Sequence, residues 1–218
     1  MTKGKVLINA PAVLNIDILR EGLSQAGYTL LHVDKRPEQI EEIISAAKGC
    51  HAIIAGMEPW NDCTIPQLLP DLRMIIRYGA GYNNVDIAAA TRLGVPIFNT
   101  AGLNASTVAE VALLHILNAG RQFSLSIEQA KRGEHSPNDM TVHELTGKTV
   151  GLLGAGSIAR HLAKMLQGFA PKILAYDPYP SEAMCALGVE YVATPEELFQ
   201  GSDIVSIHTP LNEHTQGM

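Results

Sequence analysis

The chain has 218 residues, enough for one large domain or two modest ones that each bury a core. Hydrophobic residues make up 46 % and charged residues 17 %, and the net charge of −6 with no basic run argues against a general binder of nucleic acid or of anionic membranes. No stretch approaches the roughly 18 unbroken apolar residues of a membrane helix, and "MTKGKVLINAPAVL" reads as a strand followed by a proline rather than a secretory signal.

Short apolar runs rich in β-formers alternate with helical patterns along the chain. The first series of expected strands is "KVLIN" (5–9), "TLLHV" (29–33), "AIIAG" (52–56), "RMIIRY" (73–78) and "PIFN" (96–99). Between them, "LNIDILREGLSQAG" and "RPEQIEEIISAAKG" place apolar residues three and four apart and end at a glycine, as amphipathic helices do. The stretch 106–131, "STVAEVALLHILNAGRQFSLSIEQAK", reads as a single long helix, with His115 packed on its apolar face. The polar run "RGEHSPNDMTVHELTGK" follows it. A domain boundary is therefore expected within 100–145, dividing the chain into 1–104 and 105–218. The second series of strands is "TVGLLG" (149–154), "KILAYD" (172–177), "VEYV" (189–192) and "DIVSIH" (203–208). Strands separated by helices imply βαβ units, and so α/β domains with parallel sheets.

The scattered cysteines Cys50, Cys63 and Cys185 form no CxxC pair, which sets a reduced, cytoplasmic location as the expectation. His32, His51, His135, His143, His161 and His214 show no metal-ligand spacing, so no metal site is expected. No G-x-S-x-G elbow or other nucleophile motif occurs.

One motif carries chemistry. In "TVGLLGAGSIARHLAKML" an apolar strand runs into Gly154-Ala155-Gly156-Ser157-Ile158-Ala159, and a helical pattern starts at once. This is G-x-G-x-x-A, a variant of the dinucleotide fingerprint. The first glycine permits the turn, the second lets a pyrophosphate approach the backbone, and the third position needs a small residue for helix–strand packing. The amides at the helix start, Ser157 and Ile158 among them, then face the phosphates. Glycines there could equally serve a plain turn. Asp177, twenty-one positions after Gly156 at the end of the next strand, is where a ribose-binding carboxylate belongs, although a strand-ending turn residue fits the same place. A carboxylate there repels a 2′-phosphate, favouring NAD over NADP. The negative net charge is no obstacle, since distant charges are screened over about 8 Å at physiological salt.

The stretches "IIRYGAGYNNVDIAAATRLGVPIFNTAGLNASTVAEVALLHIL", "ELTGKTVGLLGAGSIARHLAKML", "AYDPY" and "SDIVSIHTPLNEHT" together resemble the D-isomer-specific 2-hydroxyacid dehydrogenases, from about Arg73 to the end. The resemblance implies a flavodoxin-like substrate domain followed by a Rossmann-type NAD domain, here with about four strands. It also implies reversible interconversion of a small 2-hydroxyacid and 2-oxoacid with NAD, of the phosphoglycerate or glyoxylate/hydroxypyruvate type, in a homodimer joined through the long helix. The amides around Gly79, Ala80 and Gly81 resemble the cradle for the substrate carboxylate, where a mere strand-to-helix turn is the plainer reading. Asn104 resembles a substrate contact and Thr107 a contact near the nicotinamide, while Asn104 and Ser106 also suit a helix N-cap. Thr209, Pro210 and Thr215, with His208 beside them, resemble the loop that holds the adenosine end.

Hydride transfer needs a base for the hydroxyl proton and a cation for the carboxylate and carbonyl. The family supplies an arginine, a glutamate and a histidine, in segments beyond Met218, and Arg77, Arg121 and His208 occupy other motif positions. The expectation is thus the N-terminal two-thirds of a longer enzyme, with little turnover alone and with "DIVSIH" on an open sheet edge. A non-catalytic NAD-sensing protein of corepressor type and a folding-incompetent remnant are the alternatives. No basic cluster stands out in the first hundred residues, so the substrate stays open.

Overall fold

The computed structural model describes residues 3–10, 17–134 and 141–218. His135 and part of the polar stretch after the long helix lie outside them. The chain divides into two compact units, Met1–Leu103 and Asn104–Met218.

In the first unit five parallel strands lie in the order β2-β1-β3-β4-β5: β1 (Gly4–Ile8), β2 (Tyr28–His32), β3 (Ala52–Ala55), β4 (Met74–Arg77) and β5 (Ile97–Asn99). This is the flavodoxin-like order, with its switch point between β1 and β3. Helices α1 (Asp17–Gln25), α2 (Ile40–Ala47) and α3 (Ile87–Arg92) connect the strands. Helix α2 turns Ile43, Ile44 and Ala47 onto the sheet, where they join Leu7, Ile53, Trp60, Ile65 and Ile75 in the main core. Val6, Ile8, Ala10 and Ile54 form a second cluster. Alternate residues of the strands thus supply apolar side chains to both layers, as a sheet covered by helices requires.

The second unit holds β6 (Thr149–Leu153), β7 (Lys172–Tyr176), β8 (Glu190–Tyr191) and β9 (Ile204–Ile207), parallel and ordered β8-β7-β6-β9. Taken in chain order this is 3-2-1-4, the start of a Rossmann sheet. Its helices are α4 (Ala105–Arg121), α5 (Phe123–Lys131), α6 (Ser157–Leu166), α7 (Glu182–Cys185) and α8 (Pro195–Gly201). Strand β6 is buried almost throughout, while β9 is half-buried and pairs, among the described residues, with β6 alone. The main core joins Ala109 and Ile116 of α4 to Val150, Leu152, Ala159, Leu162, Leu166 and Ile173.

Two expectations are corrected. The tract 106–131 is not one helix. Gln122 takes a left-handed conformation (φ 49°, ψ 37°) and separates α4 from α5. The cause is a segment that crosses there. The His143 N–H donates to the Gly120 carbonyl (2.8 Å), Gln122 Nε2 donates to the Thr141 carbonyl (2.8 Å), and a Cβ on Gly120 would stand 3.2 Å from the His143 carbonyl oxygen. Hydrophobic periodicity runs through the break unchanged, because the break is made by residues twenty positions away. His115, in turn, is exposed rather than packed in the core; Ile116 beside it carries the burial.

Candidate cofactor and carboxylate sites

Both sheets place a glycine loop at the carboxyl ends of their strands, the side where ligands of open α/β sheets bind; the one after β6 adjoins its sheet's switch point, and the one after β4 lies one strand away. In each loop one glycine answers to the fold and a second does not.

In the second unit the loop leaves β6 at Gly154, whose φ of +93° disfavours any side chain. A Cβ there would also lie 2.9 Å from the His208 carbonyl carbon and the Thr209 nitrogen, as β9 runs past it and the His208 N–H bonds the Leu153 carbonyl (2.7 Å). Gly154 is therefore demanded from within. Gly156 is not. Its φ of −72° suits any residue, and nothing lies within 4 Å of where its Cβ would be. Gly156 and Ser157 are exposed at the lip of α6, Gly156 caps that helix without a side-chain bond, and the first-turn amides have no intrahelical acceptor. A bare, outward-facing helix start with its positive dipole end open is what a pyrophosphate requires. Ala159, in the third fingerprint position, is fully buried, which explains its small size.

Asp177 stands at the end of β7 beside this loop. Its Oδ2 accepts the Ala155 N–H (2.8 Å) and its Oδ1 accepts the Tyr179 N–H (2.9 Å). The carboxylate thus braces the glycine loop and still has one lone pair on each oxygen for ribose hydroxyls. Turn residue and ribose acceptor are compatible roles.

The segment after β9 is folded on itself. Asn212 Oδ1 accepts the His214 and Thr215 N–H groups (2.9 and 3.1 Å), and the Thr215 hydroxyl bonds the Pro210 carbonyl. Thr215 thereby closes the loop, while Pro210 is exposed and Thr209 half-buried. The half-buried His208 has an Nε2 with no partner among the described residues, and burial lowers its pKa by disfavouring the charged form. Asn104 is the N-cap residue of α4 but makes no capping side-chain bond; Asn104 and Thr107 are both exposed.

In the first unit the loop after β4 repeats the pattern. Gly79 has φ +135°, and its Cβ would come within 2.3 Å of Arg77 Nη1. Its N–H already donates to Thr100 Oγ1 (2.8 Å), and Asn99 Nδ2 holds the Ala80 carbonyl (2.8 Å). Gly81 meets nothing within 4 Å and is exposed. Of the three expected cradle amides, Gly79's is therefore taken by the protein, and those of Ala80 and Gly81 have no bonded acceptor among the described residues. Thr100 and Asn99, which help set this geometry, belong to no spacing motif, and the sequence shows Arg77 only as a neighbour of the glycines and not beneath them.

Residues 113–218 match the family described as D-isomer specific 2-hydroxyacid dehydrogenase, NAD binding domain. A hydroxypyruvate reductase of Thermotoga maritima is 38 % identical over 216 residues, covering 99 % of this chain and 68 % of that protein. The chain belongs to the D-isomer-specific 2-hydroxyacid dehydrogenase family. A glyoxylate reductase of Korarchaeum cryptofilum is 33 % identical over 85 % of this chain and 57 % of its own length. Among solved structures, the NAD-dependent formate dehydrogenase of Staphylococcus aureus in complex with NAD superposes with a TM-score of 0.81 at 25 % identity, over 97 % of this chain and 66 % of that one. The chain spans between about half and two-thirds of the length of these proteins. Its second unit is the family's NAD-binding domain, and the open lip at Gly156 fits that cofactor.

Proposed function

We propose that the whole protein is an NAD-dependent oxidoreductase acting on the CH–OH group of a small 2-hydroxyacid, reversibly, with this chain supplying the dinucleotide loop and the carboxylate cradle. The observation that carries the reading is Gly156: a glycine that neither its backbone angles nor any neighbour requires, at a helix start with free amides.

When bound, NAD supplies the hydride acceptor or donor. This chain's residues have other tasks. The α6 amides from Gly156 to Ile158 receive the pyrophosphate, Asp177 orients the ribose while keeping the loop in shape, and Thr209 and Pro210 line the adenosine end. Thr107 contacts the cofactor nearer its nicotinamide. The Ala80 and Gly81 amides hold the substrate carboxylate, and Gly79 lets the chain turn there. This reading assigns none of this chain's residues to the polarising arginine or to the glutamate and histidine that the family uses for proton transfer. The chain alone is therefore proposed to bind NADH and turn over little. Self-association through α4 and α5 belongs to the same reading, supported by the exposed apolar side chains Val108, Val111, Leu114, Phe123 and Leu125.

The test is direct. The 218-residue chain should bind NADH with micromolar affinity in a fluorescence titration and oxidise it slower than about one turnover per second with glyoxylate or hydroxypyruvate. Faster turnover would overturn the assignment of proton transfer to residues elsewhere. A whole protein that holds NADH and turns over none of these acids would support the corepressor-like alternative.

A further inference from the structure

The crossing that separates α4 from α5 also leaves a cavity beside it. Residues 143–146 pass the last turn of α4, tied there by the His143 N–H on the Gly120 carbonyl (2.8 Å). The Thr146 hydroxyl then donates to the Phe169 carbonyl (3.3 Å), in the short turn Gln167–Phe169 that follows α6. Among these three pieces of chain lies a pocket of about 230 Å3. Its lining is apolar at depth: Ile116 and Leu145 are 5 % and 6 % exposed, Leu117 is half-buried, and Phe169 closes one side. That space equals about eight water volumes, so it suits a body of about that many heavy atoms and excludes a dinucleotide. It lies on the stretch leading into β6, whereas the cofactor loop leaves the other end of that strand, about 15 Å away.

The rim carries both signs of charge. Arg121, the last residue of α4, and Glu144, on the crossing segment beside His143, line the pocket and are exposed. Neither forms an ion pair or a side-chain hydrogen bond among the described residues, and the nearby Lys148 is already paired to Asp203 (3.5 Å). A carboxylate that serves the fold looks different in this protein. Glu58 is 1 % exposed, with Oε2 accepting from Asn9 Nδ2 (3.0 Å) and Oε1 from the Gly56 N–H (3.0 Å). Helix α4 also brings the negative end of its dipole to this rim, which favours a second cation beside Glu144.

We propose that this pocket binds an apolar α-amino acid as its zwitterion, with the side chain among Ile116, Leu117, Leu145 and Phe169, the carboxylate on Arg121 and the ammonium on Glu144. Two unpaired opposite charges over a small apolar chamber match such a ligand in sign, size and polarity. The planar guanidinium suits both oxygens of a carboxylate. A plain carboxylic acid would leave Glu144 without a counter-charge, and a plain amine would leave Arg121 without one. The site shares no residue with the dinucleotide loop or with the glycine loop of the first unit.

Calorimetry on the full 218-residue chain tests it with L-leucine against three compounds that each lack one feature. These are 4-methylpentanoate, without the ammonium; 3-methylbutylamine, without the carboxylate; and glycine, without the apolar body. Leucine should bind about ten-fold tighter or more than each of them. Arg121→Gln should bring leucine to within about two-fold of the amine, and Glu144→Gln to within about two-fold of the acid. Melting temperature and NADH affinity should stay unchanged in both variants, because both side chains are exposed and remote from the cofactor loop. No preference for leucine over glycine in the unmodified chain, or a preference that survives both substitutions, overturns the site. Displacement of leucine by 2-oxobutyrate also overturns it, since the amino acid would then lie on the Ala80 and Gly81 amides.

Discussion

At the scale of single residues, paired glycines separate folding from binding. Gly154→Ala places a side chain at φ +93° against the backbone of β9, and should cost about 1–3 kcal/mol in urea unfolding. Gly156→Ala faces open space in an ordinary conformation. It should change stability by less than about 0.5 kcal/mol yet weaken NADH binding about ten-fold or more. Equal stability losses in both variants would remove the distinction on which the cofactor assignment stands. Asp177→Ala should weaken NADH, relax discrimination against NADPH, and lower stability by about 1–2 kcal/mol through the lost Ala155 and Tyr179 bonds, as fluorescence titration and unfolding would show. Unchanged preference between the two cofactors would leave Asp177 as a brace and nothing more.

At the scale of elements, caps and buried acids set stability. Helix α8 starts with Thr194 accepting the Glu197 N–H, while Glu197 reaches back to the Ala193 N–H, so Thr194→Ala should cost about 1 kcal/mol. Glu58 couples the ends of β1 and β3 to pH. Its folded-state pKa lies above the ordinary 4.5 because burial disfavours the charged form. As pH rises past that value the unfolded chain ionises first, so stability falls until the folded-state pKa is passed and then levels off. Urea unfolding between about pH 4 and pH 8 should show that decline, and Glu58→Gln should flatten it even if its overall stability is lower. The broken helix belongs to this scale too. The apolar pattern of 106–131 gave no sign of Gln122 because local periodicity records which face is buried, and not where a remote segment such as 141–143 crosses.

At the scale of the whole molecule, two parallel sheets of five and four strands each carry one glycine loop at the carboxyl end of a strand. Strand β9 forms a sheet edge among the described residues, with Ile207 66 % exposed. Such an edge invites pairing with other chains, and Ile207→Lys should reduce light scattering by concentrated samples. Alternating strand and helix patterns determined the α/β class, the strands of the described residues and the G-x-G-x-x-A turn, because those signals are local: period, turn residues and fixed spacing. Tertiary structure alone decided which glycine in each loop is required by the fold, that Asp177 braces the loop it was expected to serve beside, and that Arg77 lies buried beside Gly79 with no carboxylate partner among the described residues. Each of these depends on a neighbour from another strand, and the distance between strands is a quantity that no run of consecutive residues encodes.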